Sequence, residues 1–333
     1  MDDIIMKIEN LKQYFPVNKK GPDGKPLFVK AVDDVSLEIK RGEVIGLVGE
    51  SGSGKSTIAY SVIGMYRPTS GRIYFEGRDV NEKRKRSLQL KKDLQIVFQD
   101  PGSSMNPHQT IREILELPLN IHKIAVGKEE REQKLRELLK MVELPESYLY
   151  KVPGAIGGGE RQMVAIARAL ACEPKFLILD EPTSALDVSI QAKIINMLLK
   201  IQKEKNLTFL FITHDLSLMR NIATRVAILY LGRISELAPA EEFFYRPEHP
   251  YTQMLISAIP VISEEEERLK PKRVEISGEI PSPVNLPPGC SFHLRCPSVM
   301  NLCSTLDPEM IKLDENHSAR CHLCKQRFEQ SCE

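Results

Sequence analysis

Apolar and polar residues alternate from Ile4 to Leu11 and again from Val29 to Ile39. Period-two alternation marks half-buried strands, so the chain opens with two antiparallel strands. Between them Lys19 to Pro26 is rich in turn residues and reads as a loop. The run Glu43-Val44-Ile45-Gly46-Leu47-Val48 is continuously apolar after its first residue, a buried strand, and Ile58 to Ile63 begins a helix. Pro68 to Gly71 turns the chain into Arg72 to Gly77, a hairpin arm. The charged run from Glu82 to Lys92 reads as a solvated helix face.

The period then changes. From Thr110 to Leu144 apolar residues recur at three- and four-residue spacing (Ile111, Ile114, Leu115, then Leu135, Leu138, Leu139, Val142), which predicts a mostly helical inserted lobe. A further helix covers Arg161 to Ala171, and Phe176 to Leu179 is a buried strand of the parallel-sheet kind. Strands and helices alternate as far as Val226 to Tyr230, and Ala240 to Ile259 is helical. The charge-rich Ser263 to Lys272 reads as a linker, after which proline and cysteine dominate a small loop-rich unit that needs a staple.

Composition narrows the class. Lys+Arg 46 against Asp+Glu 45 leaves a net charge of +1, too small for a broad field toward nucleic acid or anionic lipid. No apolar run approaches the ~20 residues of a membrane-spanning helix. The acidic Met1-Asp2-Asp3-Ile4 lacks a signal-peptide pattern, so a cytoplasmic location is expected. Six of the seven cysteines lie between Cys290 and Cys332, and in a reducing compartment that clustering favours metal binding over disulfides.

Between the buried strand and the first helix stands Gly49-Glu50-Ser51-Gly52-Ser53-Gly54-Lys55-Ser56-Thr57. Strand, glycine-rich turn and helix in that order form a phosphate-binding loop. Its glycines let backbone amides face an anion, Lys55 reaches the outer phosphates, Ser56 offers a hydroxyl to magnesium, and the helix start adds partial positive charge. Phe176 to Leu179 ends in Asp180 and Glu181. Asp180 is placed to hold the hydrated magnesium opposite Ser56, and Glu181 projects toward a water attacking the γ-phosphate. Thr208 to Ile212 ends in Thr213-His214-Asp215, where His214 can hydrogen-bond a γ-phosphate oxygen. Gln99, at the end of Leu94 to Phe98, can reach magnesium or the attacking water and report nucleotide state to the helical lobe.

These motifs, with Ile156-Gly157-Gly158-Gly159-Glu160 before Arg161-Gln162 and with Ser184-Ala185-Leu186-Asp187, follow the order found in ABC ATPases, which residues 1 to about 260 resemble. The resemblance implies an α/β P-loop (RecA-like) core with an antiparallel β subdomain and a helical subdomain at about 101–172. It also implies head-to-tail dimers holding two ATPs, each between one chain's phosphate loop and the other's signature loop (Gly157, Gly158, Gly159 and Glu160 here), with Asp187 beside it. Phe15 matches the aromatic that stacks on adenine, and Tyr14 competes with it. Phe98 to Pro107, His249-Pro250-Tyr251-Thr252 and Pro281 to Cys290 narrow the likeness to ATPase subunits of oligopeptide and dipeptide importers, nearer the OppF/DppF type. Importers of this family also carry oligosaccharides or nickel.

The implied assembly is a peripheral ATPase on the cytoplasmic face of the membrane. Its partners are a homologous ATPase, two permease subunits and an extracytoplasmic solute-binding protein, and the expected division is 1–262 (nucleotide-binding domain) and 263–333 (C-terminal extension). ABC clamps that act on nucleic acid or ribosomes form the competing class. They normally carry a second ATPase half, a long coiled coil or a basic arm, and none is visible.

The signature departs from the family pattern, with Gly157 in place of serine and Glu160 in place of glutamine. Losing a hydroxyl donor and adding a carboxylate weakens the grip on the opposite chain's γ-phosphate, so the expectation is a heterodimer with unequal sites. Cys290, Cys296, Cys303 and Cys321 are separated by five, six and seventeen residues. Four thiolates suit a [4Fe-4S] cluster or zinc. The spacing is unlike the paired cysteines usual for zinc, apart from Cys321-His322-Leu323-Cys324, and resembles the cluster-binding tail of peptide-importer ATPases. Reduced structural cysteines are the third reading.

Overall fold

The computed structural model describes residues 3–21, 24–81, 86–259 and 278–331. The expected linker at 263–272 and the start of the charged run, 82–85, lie outside them. In chain order the early strands are β1 (Ile4–Lys20), β2 (Pro26–Lys40), β3 (Val44–Val48), β4 (Ser70–Phe75), β5 (Arg78–Asp79) and β6 (Leu94–Val97). The later ones are β7 (Phe176–Asp180), β8 (Thr208–Thr213), β9 (Arg225–Tyr230), β10 (Arg233–Pro239), β11 (Ile311–Lys312) and β12 (Ser318–Ala319). Helices α1 (Lys55–Ile63), α2 (Leu88–Asp93), α3 (Ile111–Ile121), α4 (Lys128–Met141) and α5 (Gly158–Leu170) precede α6 (Val188–Lys205), α7 (Leu216–Ile222), α8 (Ala240–Tyr245), α9 (Pro250–Ser257) and α10 (His322–Ser331).

Contacts divide the chain into two compact units, the first comprising Met1–Ile5, Lys40–Glu43 and Val80–Thr213. Its sheet runs β6, β7, β8, all parallel, with Leu94 opposite Phe176 and Phe176 opposite Thr208. Every residue of β7 and β8 is buried, which is why both read as unbroken apolar runs rather than as alternation. The helical segment of this unit packs α3 against α4 and α5. Thr110 caps α3 and Glu113 returns to the Thr110 N–H, a reciprocal box that fixes where the helix begins. On α4 the buried residues are Leu135, Leu138 and Leu139, the stripe that the spacing predicts.

The second unit comprises Met6–Ile39, Val44–Asp79 and His214–Glu333. One sheet has the order β2, β1, β4, β5, with β1 and β4 antiparallel. Glu76 (φ 48°) and Gly77 (φ 74°) close the hairpin from β4 to β5, both in the left-handed conformation that a tight two-residue turn requires. In the other, β3 lies parallel to β9, β9 antiparallel to β10, and β12 and β11 extend β10.

Strands β1 and β2 outrun the alternation that announces them, reaching Lys20 and Pro26. Side chains beyond Phe15 face solvent or are half-buried, so burial no longer alternates while the backbone stays extended. Lys19, Lys20 and Pro26 of the expected loop thus lie in strands, and the Gly21 N–H donates to the Lys25 carbonyl (2.9 Å).

Candidate nucleotide site and cysteine cluster

In the second unit, β3 delivers the chain into the glycine-rich loop and α1 leads out of it. Gly54 sits at φ 106°, and a Cβ there would stand 2.1 Å from the Ala31 carbonyl oxygen; a Cβ on Gly49 would stand 2.2 Å from that of Leu229. Only glycine fits either position, and the loop is thereby pressed against the strands behind it. Lys55 is buried, and its Nζ donates to the carbonyls of Gly49 (2.8 Å) and Glu50 (3.1 Å). Ser53 is only 4% exposed and its Oγ has no hydrogen-bond partner. A buried hydroxyl left unsatisfied beside a ring of glycines is what a loop shaped for an anion presents. Ser51 and Gly52 are exposed, and Ser56 and Thr57 half-buried on the first turn of α1.

The same unit carries the two aromatic candidates on β1. The Tyr14 hydroxyl donates to Asp33, itself held by Arg233 (2.7 Å). Burial and that neighbouring carboxylate push the phenol well above its ordinary range. Phe15, on the opposite side of the strand, packs edge-on against Tyr66 with 5.1 Å between ring centres and stays half-buried. Of the pair, Tyr14 is committed to an internal network and Phe15 keeps a ring for stacking. His214 is exposed, directly before Asp215, whose side chain caps α7.

In the first unit, Asp180 is the fully buried last residue of β7. Glu181 follows in a left-handed conformation (φ 46°), its N–H tied to the Ile212 carbonyl (2.9 Å). A non-glycine residue held there stores backbone strain, and strain of this kind gathers where a side chain must be aimed. The Gln99 amide donates to Glu181 Oε2 at 3.0 Å. Two strand ends that the sequence treats separately therefore meet.

Gly157 is the N-cap of α5, and Glu160, three residues on, folds back so that Oε2 accepts the Gly157 N–H (2.7 Å). Glu160 Oε1 accepts the Tyr148 hydroxyl. The Tyr148 bond, then the amide, hold this carboxyl below its usual range. Sequence reading supplies the charge here but not its partners: the carboxylate is turned onto its own helix terminus. Gly158 stands half-buried near Leu186, and a Cβ on Gly159 would lie 2.5 Å from Ile190 Cγ2, so the glycines set how closely α5 and α6 approach. Asp187 caps α6, accepting from the Ile190 N–H (3.0 Å) and the Ser189 hydroxyl (2.6 Å).

Four cysteines converge in the second unit. The Cys290 N–H donates to the Cys303 carbonyl (2.8 Å), and the Cys290 thiol lies within electrostatic reach of Cys296, Cys303 and Cys321. Burial pushes the Cys290 thiol up to about 12 and the Cys296 thiol up to about 11, and the neighbouring sulfurs add to both. Cys321 goes the other way, lowered by a hydrogen bond from Cys324 and by His249. Among the described residues no three cysteine thiols lie within 4.8 Å of one another, as one tetrahedral zinc would need. Four thiols are the number of protein ligands that a [4Fe-4S] cluster takes.

The ABC transporter family matches residues 32–184, and the family described as oligopeptide/dipeptide transporter, C-terminal region, matches residues 235–303. The chain is 44% identical over 323 residues to the oligopeptide transport ATP-binding protein AppF of Bacillus subtilis, covering 96% of this chain and 98% of that protein. It belongs to the ATP-binding subunits of the oligopeptide ABC transporter family. A putative peptide import ATP-binding protein of Brucella ovis is 46% identical over 294 residues, 88% of this chain and 92% of that one. Among solved structures, a dimeric ATP-binding cassette in a post-hydrolysis state with ADP and Pi superposes with a TM-score of 0.63 at 32% identity, covering 71% of this chain and 98% of that one.

The fold is accordingly the ABC ATPase cassette, mixed α/β with an antiparallel subdomain. No helix among the described residues of this ABC ATPase is long and apolar enough to cross a membrane. What the linear motifs miss is side-chain partnership: Tyr148 under Glu160, and Arg295 on Glu50. The capping-box spacing of Gly157 and Glu160 is a readable signal for the first. An arginine 245 residues from its partner carries none.

Proposed function

We propose that this ATP-binding subunit hydrolyses ATP to drive peptide uptake, with Glu181 as the carboxylate that polarises water. The observation that carries the reading is the pairing of Gln99 with a strained Glu181, which fixes the direction of the carboxylate at the end of the buried strand. The water oxygen attacks the γ-phosphorus, its proton passes to Glu181, and the bond from γ-phosphorus to the β-bridging oxygen breaks to leave ADP. Lys55 and His214 take up charge on the γ-phosphate oxygens, and the amides of Gly49 to Thr57 cradle the phosphates, with Ser53 Oγ as a further donor. Ser56, Gln99 and Asp180 are the residues that would hold magnesium, which when bound neutralises phosphate charge. Phe15 stacks on the adenine.

On this reading the working unit is a heterodimer with a homologous ATPase at the cytoplasmic face of the membrane, joined to two permease subunits and served by an extracytoplasmic solute-binding protein. The names of the relatives support peptides as cargo. Residues 1–262 form the nucleotide-binding domain and 263–333 an extension in which Cys290, Cys296, Cys303 and Cys321 would hold a [4Fe-4S] cluster as a staple, supplying covalent cross-links between loops. The ATP on this chain's phosphate loop is cleaved against the partner's signature, and the one facing Gly157 turns over slowly.

Glu181→Gln is the decisive substitution. It should leave ATP binding in place and lower hydrolysis by the ~10²–10⁴-fold that a lost general base costs. Hydrolysis at the normal rate would overturn the assignment.

A further inference from the structure

Glu50, the second residue of the phosphate loop, is a junction. Its N–H donates to the Tyr251 hydroxyl (3.3 Å), and its carbonyl accepts Lys55 Nζ (3.1 Å). Its carboxylate receives Arg295 on both oxygens, Nη1 to Oε2 at 2.9 Å and Nη2 to Oε1 at 3.1 Å. Nη1 also lies 3.4 Å from the Tyr230 hydroxyl. Two parallel bonds between a planar guanidinium and a carboxylate fix direction as well as distance. The Arg295 side chain is 9% exposed and that of Glu50 27%, so water screens the pair little.

Arg295 arrives from the turn between Cys290 and Cys296. That turn is anchored by Phe292, 1% exposed, whose ring centre lies 5.3 Å from those of both Tyr230 and Tyr251, themselves 4.7 Å apart. The guanidinium carbon stands 5.8 Å from the Tyr230 ring centre and 5.9 Å from that of Phe292. A rigid aromatic seat thus aims one cation at one acid.

That acid stands in the wrong place for the loop's task. A loop that gathers a polyphosphate gains nothing from a carboxylate of its own, and an uncompensated Glu50 would repel the incoming charge. We propose that Arg295 is a positioning residue for nucleotide binding. It neutralises Glu50 and fixes the start of the phosphate loop, and so makes ATP affinity depend on the turn between Cys290 and Cys296. This rests on the ATP-binding reading above and adds a residue to it.

The test is a charge cycle in the full-length chain, read as the Kd for Mg-ATP and as KM and kcat in hydrolysis. Arg295→Gln should raise Kd and KM roughly ten-fold, a typical coupling between linked sites, the loss appearing in affinity rather than in kcat. Arg295→Lys, which keeps the charge but not the fork, should fall between. On a Glu50→Gln background, adding Arg295→Gln should change Kd little, because no charge remains to be neutralised. If Arg295→Gln binds ATP as tightly as the parent chain, or loses as much affinity with Glu50→Gln present as without it, the proposal is overturned. A parent chain that binds no ATP would overturn the reading beneath it instead.

Discussion

Gln99 and Glu181 come from strand ends 82 residues apart in sequence and meet at 3.0 Å. The amide donates to one carboxylate oxygen, so Gln99 orients the group assigned to polarise water and need not touch phosphate to matter. Gln99→Ala should therefore lower kcat more than it raises KM for ATP. Gln99→Glu should be worse, since it sets two carboxylates against each other. Steady-state hydrolysis by the assembled transporter separates these outcomes; a change confined to KM would assign Gln99 to nucleotide binding alone.

Glu160 occupies the amide terminus of α5 with its own carboxylate, held there by Gly157 and Tyr148. A helix start already satisfied by an internal anion has less to offer a phosphate from a facing chain. Gly157→Ser with Glu160→Gln should raise turnover in the assembled complex, and Tyr148→Phe, which releases one side of the carboxylate, should act on the same site. Unchanged turnover in the double variant would count against unequal sites.

Cys290 lies within electrostatic reach of Cys296, Cys303 and Cys321, and burial raises the Cys290 and Cys296 thiols. Metal binding must then displace protons, so loading should improve with rising pH. Chain purified without oxygen should show the broad visible absorbance and acid-labile sulfide of an iron–sulfur cluster, and Cys303→Ser should remove both. A colourless chain with intact stability would leave the cysteines as packing residues.

His317 is fully buried, with Nε2 2.7 Å from Glu236 Oε1 and Nδ1 3.4 Å from Glu242 Oε2. Burial alone would lower its pKa, but the bond to Glu236, with Glu242 and Asp314 close by, outweighs that and raises it. Arg246 pairs with both Glu242 (3.1 Å) and Asp314 (3.2 Å). A histidine raised in the native state lends stability that is full below the unfolded value of about 6.5 and is lost as pH climbs through the native one. The Tm difference between the parent chain and His317→Gln should be largest in mild acid and shrink toward alkaline pH. A difference independent of pH would mean that His317 stays neutral. Buried His249, lowered by desolvation, works in the opposite direction, but it is present in both chains and drops out of the difference.

Local order was enough for the elements that carry chemistry. The glycine spacing from Gly49 to Gly54, the unbroken apolar runs of β7 and β8 and the acids ending β7 are readable because each depends on neighbours within a few residues. The amphipathic stripe of α4 was equally legible, since a helix must bury one face. Strand lengths were not. Pairing is a property of two backbones, and β1 continues past the point where its side chains alternate.

What the tertiary structure alone decided is which polar groups face each other: Gln99 with Glu181, Tyr14 with Asp33, Tyr148 with Glu160, Arg295 with Glu50. A sequence states which donors and acceptors exist, and within a turn or two it states their geometry. Across tens or hundreds of residues, the partner of a buried charge is chosen by how whole strands and helices pack, because only that packing removes the competing water.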